Sequence, residues 1–435
     1  MPNLNQLKIM IATLIAAISL GTALMIAVYC LPTDRMFDHI KGSVDFMKMG
    51  EVPRWSKSVI HTSLDNFADS TILLKAAYPV KNPVEDAMLV PSWNPIWQGV
   101  YYPAKGFVQI VENGHLDVEN GENTYPRYWH GYMVVVKPLL LFFTSEQLRV
   151  LNLYVQFLLT FVALMLIYKC LGIYYTYAFA LIVMIINPIT TVLAFQHTNV
   201  YVTMLLTIIS ILLFNDKLKQ GSRYPCFFML IGIVTAFFDL LTYPLVPLGM
   251  GLVIYFAVNK NSFVEHSEKS AIVRLMNNSF SWLFGYAGMW SGKIFATILL
   301  TDYDIFHDAI NALIMRTSHH NGSIAVGEPI TVLQTIIINV RSFCAGPIKI
   351  FLLLTFIYIC YLIFKHSKKF VFNKVTFISL IFIAAMPFVW YAVLCNHSFA
   401  HTHFAYRELT ITAFSVLALI IESVNNAELR IKNWE

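Results

Sequence analysis

Charge is what this 435-residue sequence has least of. Only 13% of its residues are Asp, Glu, Lys or Arg, against 57% hydrophobic, where soluble domains carry about 25% charged residues. Mean hydropathy is +0.62. So few charges cannot cover the surfaces of two or three soluble domains, and the apolar content excludes a disordered chain. The net charge is only +5, and no basic run is long enough to track a phosphate backbone. Nucleic acid is therefore not an expected partner. The six cysteines are scattered at 30, 170, 226, 344, 360 and 395, with no CxxC pair. Neither a disulfide framework nor a zinc site is implied. No internal repeat is visible, which weighs against a transporter built from inverted repeats.

What is present is a series of long apolar runs. At about 20 residues per span, they predict an all-α integral membrane protein of about ten transmembrane helices. These lie near 9–31, 148–169, 171–190, 194–214, 225–241, 243–259, 276–300, 343–364, 375–395 and 404–423. The first run is too long for a signal-peptide core and ends without a small-residue cleavage site, so it reads as a retained helix. Thr242-Tyr243-Pro244 and Pro247 break the stretch 225–259 into two helices joined by a tight turn. Ten helices put fourteen Lys and Arg, from Lys8 to Lys432, in one set of short loops, and only Arg316, Arg341 and Arg407 in the other. Basic residues gather on the cytoplasmic side, so both termini are expected inside, with 424–435 a cytoplasmic tail.

Residues 32–147 then form a long first extracytoplasmic loop, and 148–423 carry the remaining spans of a single polytopic domain. Two amphipathic stretches in the loop, 34–50 and 64–78, predict helices lying on the membrane surface. Tryptophans 93, 97 and 129 and tyrosines 101, 102, 125, 128 and 132 suit an interfacial belt.

Of thirteen histidines, only His266 and His366 fall on the cytoplasmic side of this topology. A neutral polar filler accounts for single external histidines, less well for the cluster His397, His401 and His403. The H-x3-H-x-H spacing resembles metal ligands, but no carboxylate joins it locally. His403 and Arg407 are four apart and would share a helix face, offering donors and positive charge to a phosphate or sugar. Asp34 and Asp38 follow the first helix, and Asp65 and Asp69 repeat that spacing in Leu64-Asp65-Asn66-Phe67-Ala68-Asp69. A carboxylate beside basic groups at the membrane face can serve as a general base, although Asp34 also fits as a helix N-terminal charge stabilised by the dipole. Glu112, Asp117, Glu119 and Glu122 look like a solvated loop tip. Arg127 and His130, in Tyr125-Pro126-Arg127-Tyr128-Trp129-His130-Gly131, would face one way beside aromatic rings, as a sugar phosphate requires. Asp239 and Lys293 fall within predicted spans, where charges usually pair or face a cavity. Arg316, His319, His320 and Arg341 bracket a loop able to close over such a cavity.

The pattern resembles the polytopic glycosyltransferases of the type C fold (GT-C), which use lipid-linked sugar donors. Lipid A aminoarabinose transferases, protein O-mannosyltransferases and oligosaccharyltransferases belong to that group. The similarity rests on Leu31-Pro32-Thr33-Asp34-Arg35-Met36-Phe37-Asp38-His39, running on to Met49-Gly50-Glu51-Val52-Pro53, and on Tyr128–Phe143 followed by Glu146-Gln147-Leu148-Arg149. It covers about residues 1–165 in organisation and the rest by helix number and the final His/Arg loop. The chain also resembles a subgroup of bacterial membrane proteins with LDNFxD and YxRYWHG stretches.

The resemblance implies transfer of a monosaccharide from a polyprenyl-phosphate donor to a glycan, lipid-linked glycan or protein at the outer face of the plasma membrane. Asp34 matches the position of the catalytic base. Arg35 stands where a second acid is usual, so Asp65 is a rival. Asp38, Asp69, Arg127, His130, His397, His401, His403 and Arg407 would bind substrate or donor. A metal-independent enzyme without cofactor is expected, as some members are. The alternatives are a flippase or transporter of lipid-linked glycans, and a polysaccharide polymerase or ligase, which usually carries its large outer loop late in the chain.

Overall fold

The computed structural model describes residues 4–57, 59–93, 96–97, 100–113, 122–265, 267–321, 327–346, 348–365 and 373–432. His115, Asp117, Glu119, His266 and His366 lie outside the described residues. The chain is a mostly helical, multi-pass membrane protein. Among the described residues, six helices are long and apolar enough to cross a bilayer: Leu4–Tyr29 (α1), Ser145–Leu171, Phe195–Ser222, Glu268–Leu300, Lys374–Val393 and Thr402–Val424. Only 17% of the apolar window of the first two is buried, so most of each faces lipid.

The remaining predicted spans differ in length or shape. Three are short apolar helices, Ile173–Ile186, Tyr224–Phe238 and Leu245–Val258. At 14, 15 and 14 residues they rise about 21–23 Å, less than the hydrocarbon thickness of about 30 Å. The first stops because Asn187 adopts the left-handed region (φ 64) and Pro188 opens a new turn. The other two are separated by the non-helical turn 239–244. The predicted span 343–364 becomes Ile348–Lys365, bent 89° from Val332–Phe343. Six helices therefore meet the length requirement, or seven counting the bent pair.

The elements that position the site can be labelled along the chain. After α1 come Asp34–Ile40 (α2), Asn66–Ala77 (α3) and Met133–Leu140 (α4) in the segment 32–147. They are followed by Ser145–Leu171 (α5), Ile173–Ile186 (α6), Phe195–Lys219 (α7), Tyr224–Phe238 (α8), Leu245–Val258 (α9), Glu268–Leu300 (α10) and Ile305–Thr317 (α11). Cys395–Ala400 (α12) and the turns Thr402–Ala405 and Tyr406–Glu408 lead into Leu409–Lys432 (α13). A capping box, Thr144 with Gln147, starts α5, and Gly172 at φ 84 ends it.

The segment 32–147 is folded into the protein. Helix α2 is amphipathic as expected, with Met36 and Ile40 buried and Asp34 and Asp38 exposed. Helix α3 is not a surface helix. Eleven of its residues are buried and only Phe67 is exposed, because α2, α4, α7 and the helix Pro103–Asn113 pack around it. Two antiparallel two-residue ribbons, Ser92–Trp93 with Glu122–Asn123 and Ile96–Trp97 with Val100–Tyr101, complete the segment. Part of the expected aromatic belt is interior, although Tyr102 is exposed and Trp93 and Tyr125 are partly so. Tyr128, Trp129 and Tyr132 are buried, and the Trp129 indole donates to the Met289 carbonyl at 2.6 Å.

Helices α8 and α10 cross at two glycines. A Cβ on Gly232 would strike the Trp282 carbonyl, and one on Gly285 the Met229 carbonyl. Small residues let membrane helices approach this closely. Asp239 and Lys293 do not pair. Asp239 accepts from the Thr242 N–H at 3.0 Å, closing the turn after α8. Lys293 donates to the Met88 carbonyl at 2.8 Å.

Candidate functional site

A cavity of about 230 Å³ lies where α3, α7, α11 and α12 converge. Its polar wall comprises Asp65, Thr71, Tyr125, Gln196, Arg316, His397, His401 and His403. Val52, Leu240 and Phe404 supply apolar surface.

Asp65 stands at the N-cap of α3 and accepts the Ala68 N–H at 3.0 Å through Oδ1. This cap fixes the carboxylate. Its other oxygen is 3.5 Å from His403 Nε2. Burial pushes the Asp65 carboxyl up. The His403 imidazole 3.5 Å away and the Ala68 N–H outweigh burial, so Asp65 lies below the usual carboxylate range. It is an ionised acceptor at neutral pH.

The histidine cluster is held in defined states. Arg316 Nη1 donates to His397 Nδ1 at 2.6 Å, and His397 Nε2 donates to the Leu241 carbonyl at 2.7 Å. That arrangement requires a neutral imidazole protonated on Nε2. Burial and the neighbouring guanidinium push His397 well below its ordinary value. Burial, with His403 and Arg316 adding, lowers His401 to about 3. His401 stacks on Phe404 with rings 10° from parallel.

Arg316 is the cation of this cavity. It is half-buried in the last turn of α11, 5.8 Å from the Tyr128 ring. Its Nε is out of solvent with no hydrogen-bond partner, and no carboxylate pairs with it among the described residues. A guanidinium facing a cavity without a counter-ion is suited to an anionic ligand.

The other expected site residues are placed elsewhere. Asp34 is exposed at the start of α2, and exposed Asp38 pairs with Lys41 at 2.6 Å. Asp69 points away from the cavity into a buried network. It accepts the Gln196 N–H at 3.3 Å and lies 3.6 Å from Arg149. Burial raises its carboxyl to about 7, against the pull of Arg149. Arg149 also donates to Ser43 Oγ at 2.9 Å and the Leu193 carbonyl at 3.1 Å.

Arg407 is wholly buried outside the cavity lining. It donates to the Ile186 carbonyl at 3.1 Å and the His403 carbonyl at 3.2 Å, fastening the broken end of α6. Arg127 and His130 do not share a face, because His130 has φ 53 and the chain turns there. Arg127 pairs with Asp308 at 3.1 Å. His130 donates through Nε2 to the Tyr125 carbonyl (2.8 Å), and its Nδ1 accepts from Tyr132 (2.5 Å). Both nitrogens are therefore committed.

The structure thus brings Asp65, His397, His401 and His403 together and adds Arg316, Tyr125 and Gln196. Arg316 carried one sequence signal: it is one of three basic residues in the short loops opposite the lysine-rich set. Among the described residues no group of three or more His, Cys, Asp or Glu is arranged to hold a metal. A second, apolar cavity of about 330 Å³ lies among α4, α5 and α7. It adjoins the first through Ile72 beside Thr71 and Phe195 beside Gln196.

Comparison with known proteins gives no match: no family model, no curated protein and no solved structure.

Proposed function

We propose that the protein is a membrane glycosyltransferase of GT-C type. It moves a monosaccharide from a polyprenyl-phosphate donor to a hydroxyl of a surface glycan, lipid-linked glycan or protein. In this reading the chain passes the plasma membrane ten times, both termini are cytoplasmic, and the site faces outward. One observation carries the proposal: a single cavity holds an ionised carboxylate, Asp65, and a guanidinium without an acidic partner, Arg316. Inverting transfer requires that pair.

Asp65 takes the proton of the acceptor hydroxyl as its oxygen attacks the anomeric carbon. The bond from that carbon to the phosphate oxygen breaks, and polyprenyl phosphate departs with the electron pair. Arg316 offsets the charge that grows on the phosphate. His403 holds Asp65, so it is a positioning residue. The adjoining apolar cavity is suited to the start of the polyprenyl chain.

The direct test compares surface glycans, by mass and linkage, from cells with and without the protein. A missing sugar branch supports transfer. An unchanged branch pattern with accumulated lipid-linked precursor refutes it in favour of a flippase. The topology fails if a reporter placed at Lys217 is found outside the cell.

A further inference from the structure

Helix α7 begins at the candidate cavity and runs for 25 residues, about 37 Å. At its far end lies a second polar region that sugar transfer does not use. Two hollows of about 430 and 310 Å³ share Lys219, Asn259 and Ser262. The larger also includes Arg274 and Asn278 from α10, and Tyr224 and Pro225 from the first turn of α8.

Its polar groups have the chemistry that suits an anion. Arg274 donates to Ser262 Oγ at 3.0 Å and lies 5.8 Å from the Phe263 ring. Among the described residues neither Arg274 nor Lys219 has an acidic partner. Lys260 next to them does, with Glu422 at 2.5 Å, so the absence is selective. Asn278 is 2% exposed, and its amide nitrogen, beside the Tyr255 hydroxyl, makes no hydrogen bond of normal length and angle. A buried donor left unpaired costs about 1–3 kcal/mol, which a ligand oxygen would remove. The N-terminus of α8, a 15-residue helix, adds the positive end of its dipole. The Asn259 amide oxygen, 6% exposed at the residue level, is also unpaired, and accepts from a ligand hydroxyl. Among the described residues the larger hollow has no acid in its lining, and Glu422, which lines the smaller one, is paired with Lys260.

We propose that this hollow binds a phosphate group. Arg274, Lys219 and the Asn278 amide take its oxygens, and Asn259 takes a hydroxyl of the esterified portion. The same chemistry is offered by a lipid headgroup and by free phosphate. The proposal is independent of the transfer reading.

The test uses the full chain purified in dodecyl maltoside, which carries no phosphate. Melting is followed by tryptophan fluorescence while inorganic phosphate is titrated at constant ionic strength. In a separate arm phosphatidylglycerol is added to the micelles. A rise of about 2 °C or more is expected in at least one arm. A rise with lipid alone assigns a headgroup, and a rise with phosphate assigns a site open to the free ion. Arg274→Gln and Asn278→Leu should lose the rise. Exposed Lys219→Gln, which cannot unfold the chain by leaving a cavity, should reduce it. Arg316→Gln should keep it, since Arg316 belongs to the other cavity. No rise in either arm, an equal rise in Lys219→Gln and Arg274→Gln, or a rise lost only in Arg316→Gln would overturn the proposal.

Discussion

Asparagine at position 65 separates two roles of one carboxylate. Asp65 caps α3 through the Ala68 N–H at 3.0 Å, and asparagine caps a helix about as well. The fold should therefore survive Asp65→Asn, whereas Asp65→Ala should lose the cap as well, at about 1 kcal/mol. The base cannot survive either change. A positioned general base contributes about 10²–10⁴-fold, or about 2.7–5.4 kcal/mol of barrier at 1.36 kcal/mol per decade.

The assay is the initial rate of sugar transfer by the full chain in nanodiscs, with polyprenyl-phosphate sugar saturating, and melting temperature measured alongside. We expect kcat to fall by about 10²–10⁴-fold with an unchanged melting temperature. The pH profile adds a second readout. Burial raises the Asp65 carboxyl, but His403 and its other partners bring it below the usual range. The acid limb of the wild-type rate should therefore lie at lower pH than that of an ordinary carboxylate base. His403→Gln removes the leading opposing partner, so the limb should move to higher pH. Transfer by Asp65→Asn within tenfold of wild type would refute the assignment. Loss in Asp34→Asn instead would move the base to the exposed residue on α2.

Three further outcomes are expected. Arg316→Gln should raise KM for the phosphate donor and lower kcat without changing melting, whereas Arg407→Gln should mainly lower melting, since Arg407 ties Ile186 to His403. The reverse pattern would return the phosphate role to Arg407. Gly285→Val would drive a side chain into the Met229 carbonyl. It should destabilise the protein by about 1–3 kcal/mol or more, seen as lower melting and yield, and an unchanged melting temperature would contradict the α8–α10 packing. Asp69 has a folded-state value of about 7 against 3.8 for the free group. Its folded form holds a proton that the unfolded form has released, so the associated stability is present below pH 3.8 and lost as pH rises through about 7. Melting should fall between pH 5 and 8 and flatten in Asp69→Asn, and an equal slope in both proteins would contradict that sign.

The sequence disclosed what depends on local pattern. Apolar runs located helices at all ten expected places, and His397, His401 and His403 met because two short turns carry all three. It concealed what depends on single dihedral angles. Hydropathy counts residues, so the left-handed Asn187 that ends α6 could not be seen, and the turn expected at 242–244 was not seen to reach back to Asp239. Helical spacing put Arg127 and His130 on one face, and the positive φ of His130 undid it. The pattern of 64–78 read as surface because its polar residues suit solvent, yet the ionic partners of Asp65 and Asp69 come from residues 80 or more positions further along the chain. No local rule announces such partners. Arg316 reaches the site in the same way, 81 residues from the His397 it orients.

The breaks also account for where the scarce charge went. A helix ending inside a membrane protein leaves carbonyls without intrahelical partners, and these must be satisfied internally. The Ile186 carbonyl, at the end of α6, receives Arg407 at 3.1 Å. The Leu193 carbonyl, before α7, receives Arg149 at 3.1 Å. The Phe238 carbonyl, at the end of α8, receives the Asn199 amide at 3.0 Å, and the Phe237 carbonyl beside it receives the Gly131 N–H at 2.8 Å. The Leu241 carbonyl, in the turn that follows, receives His397 at 2.7 Å. Arg407 and Arg149 thus act at helix breaks, which is why a strongly basic position proved to be scaffold. The same breaks end α6 and α8 early, and side chains from elsewhere in the chain take up their last carbonyls. The guanidiniums of Arg407, Arg149 and Arg316 each keep one nitrogen without a hydrogen bond, but of the three it is Arg316 that lines the cavity, with its unpaired Nε beside Asp65 and the histidines. In a chain with so few charges, that unspent donor is the strongest pointer to a ligand in the cavity.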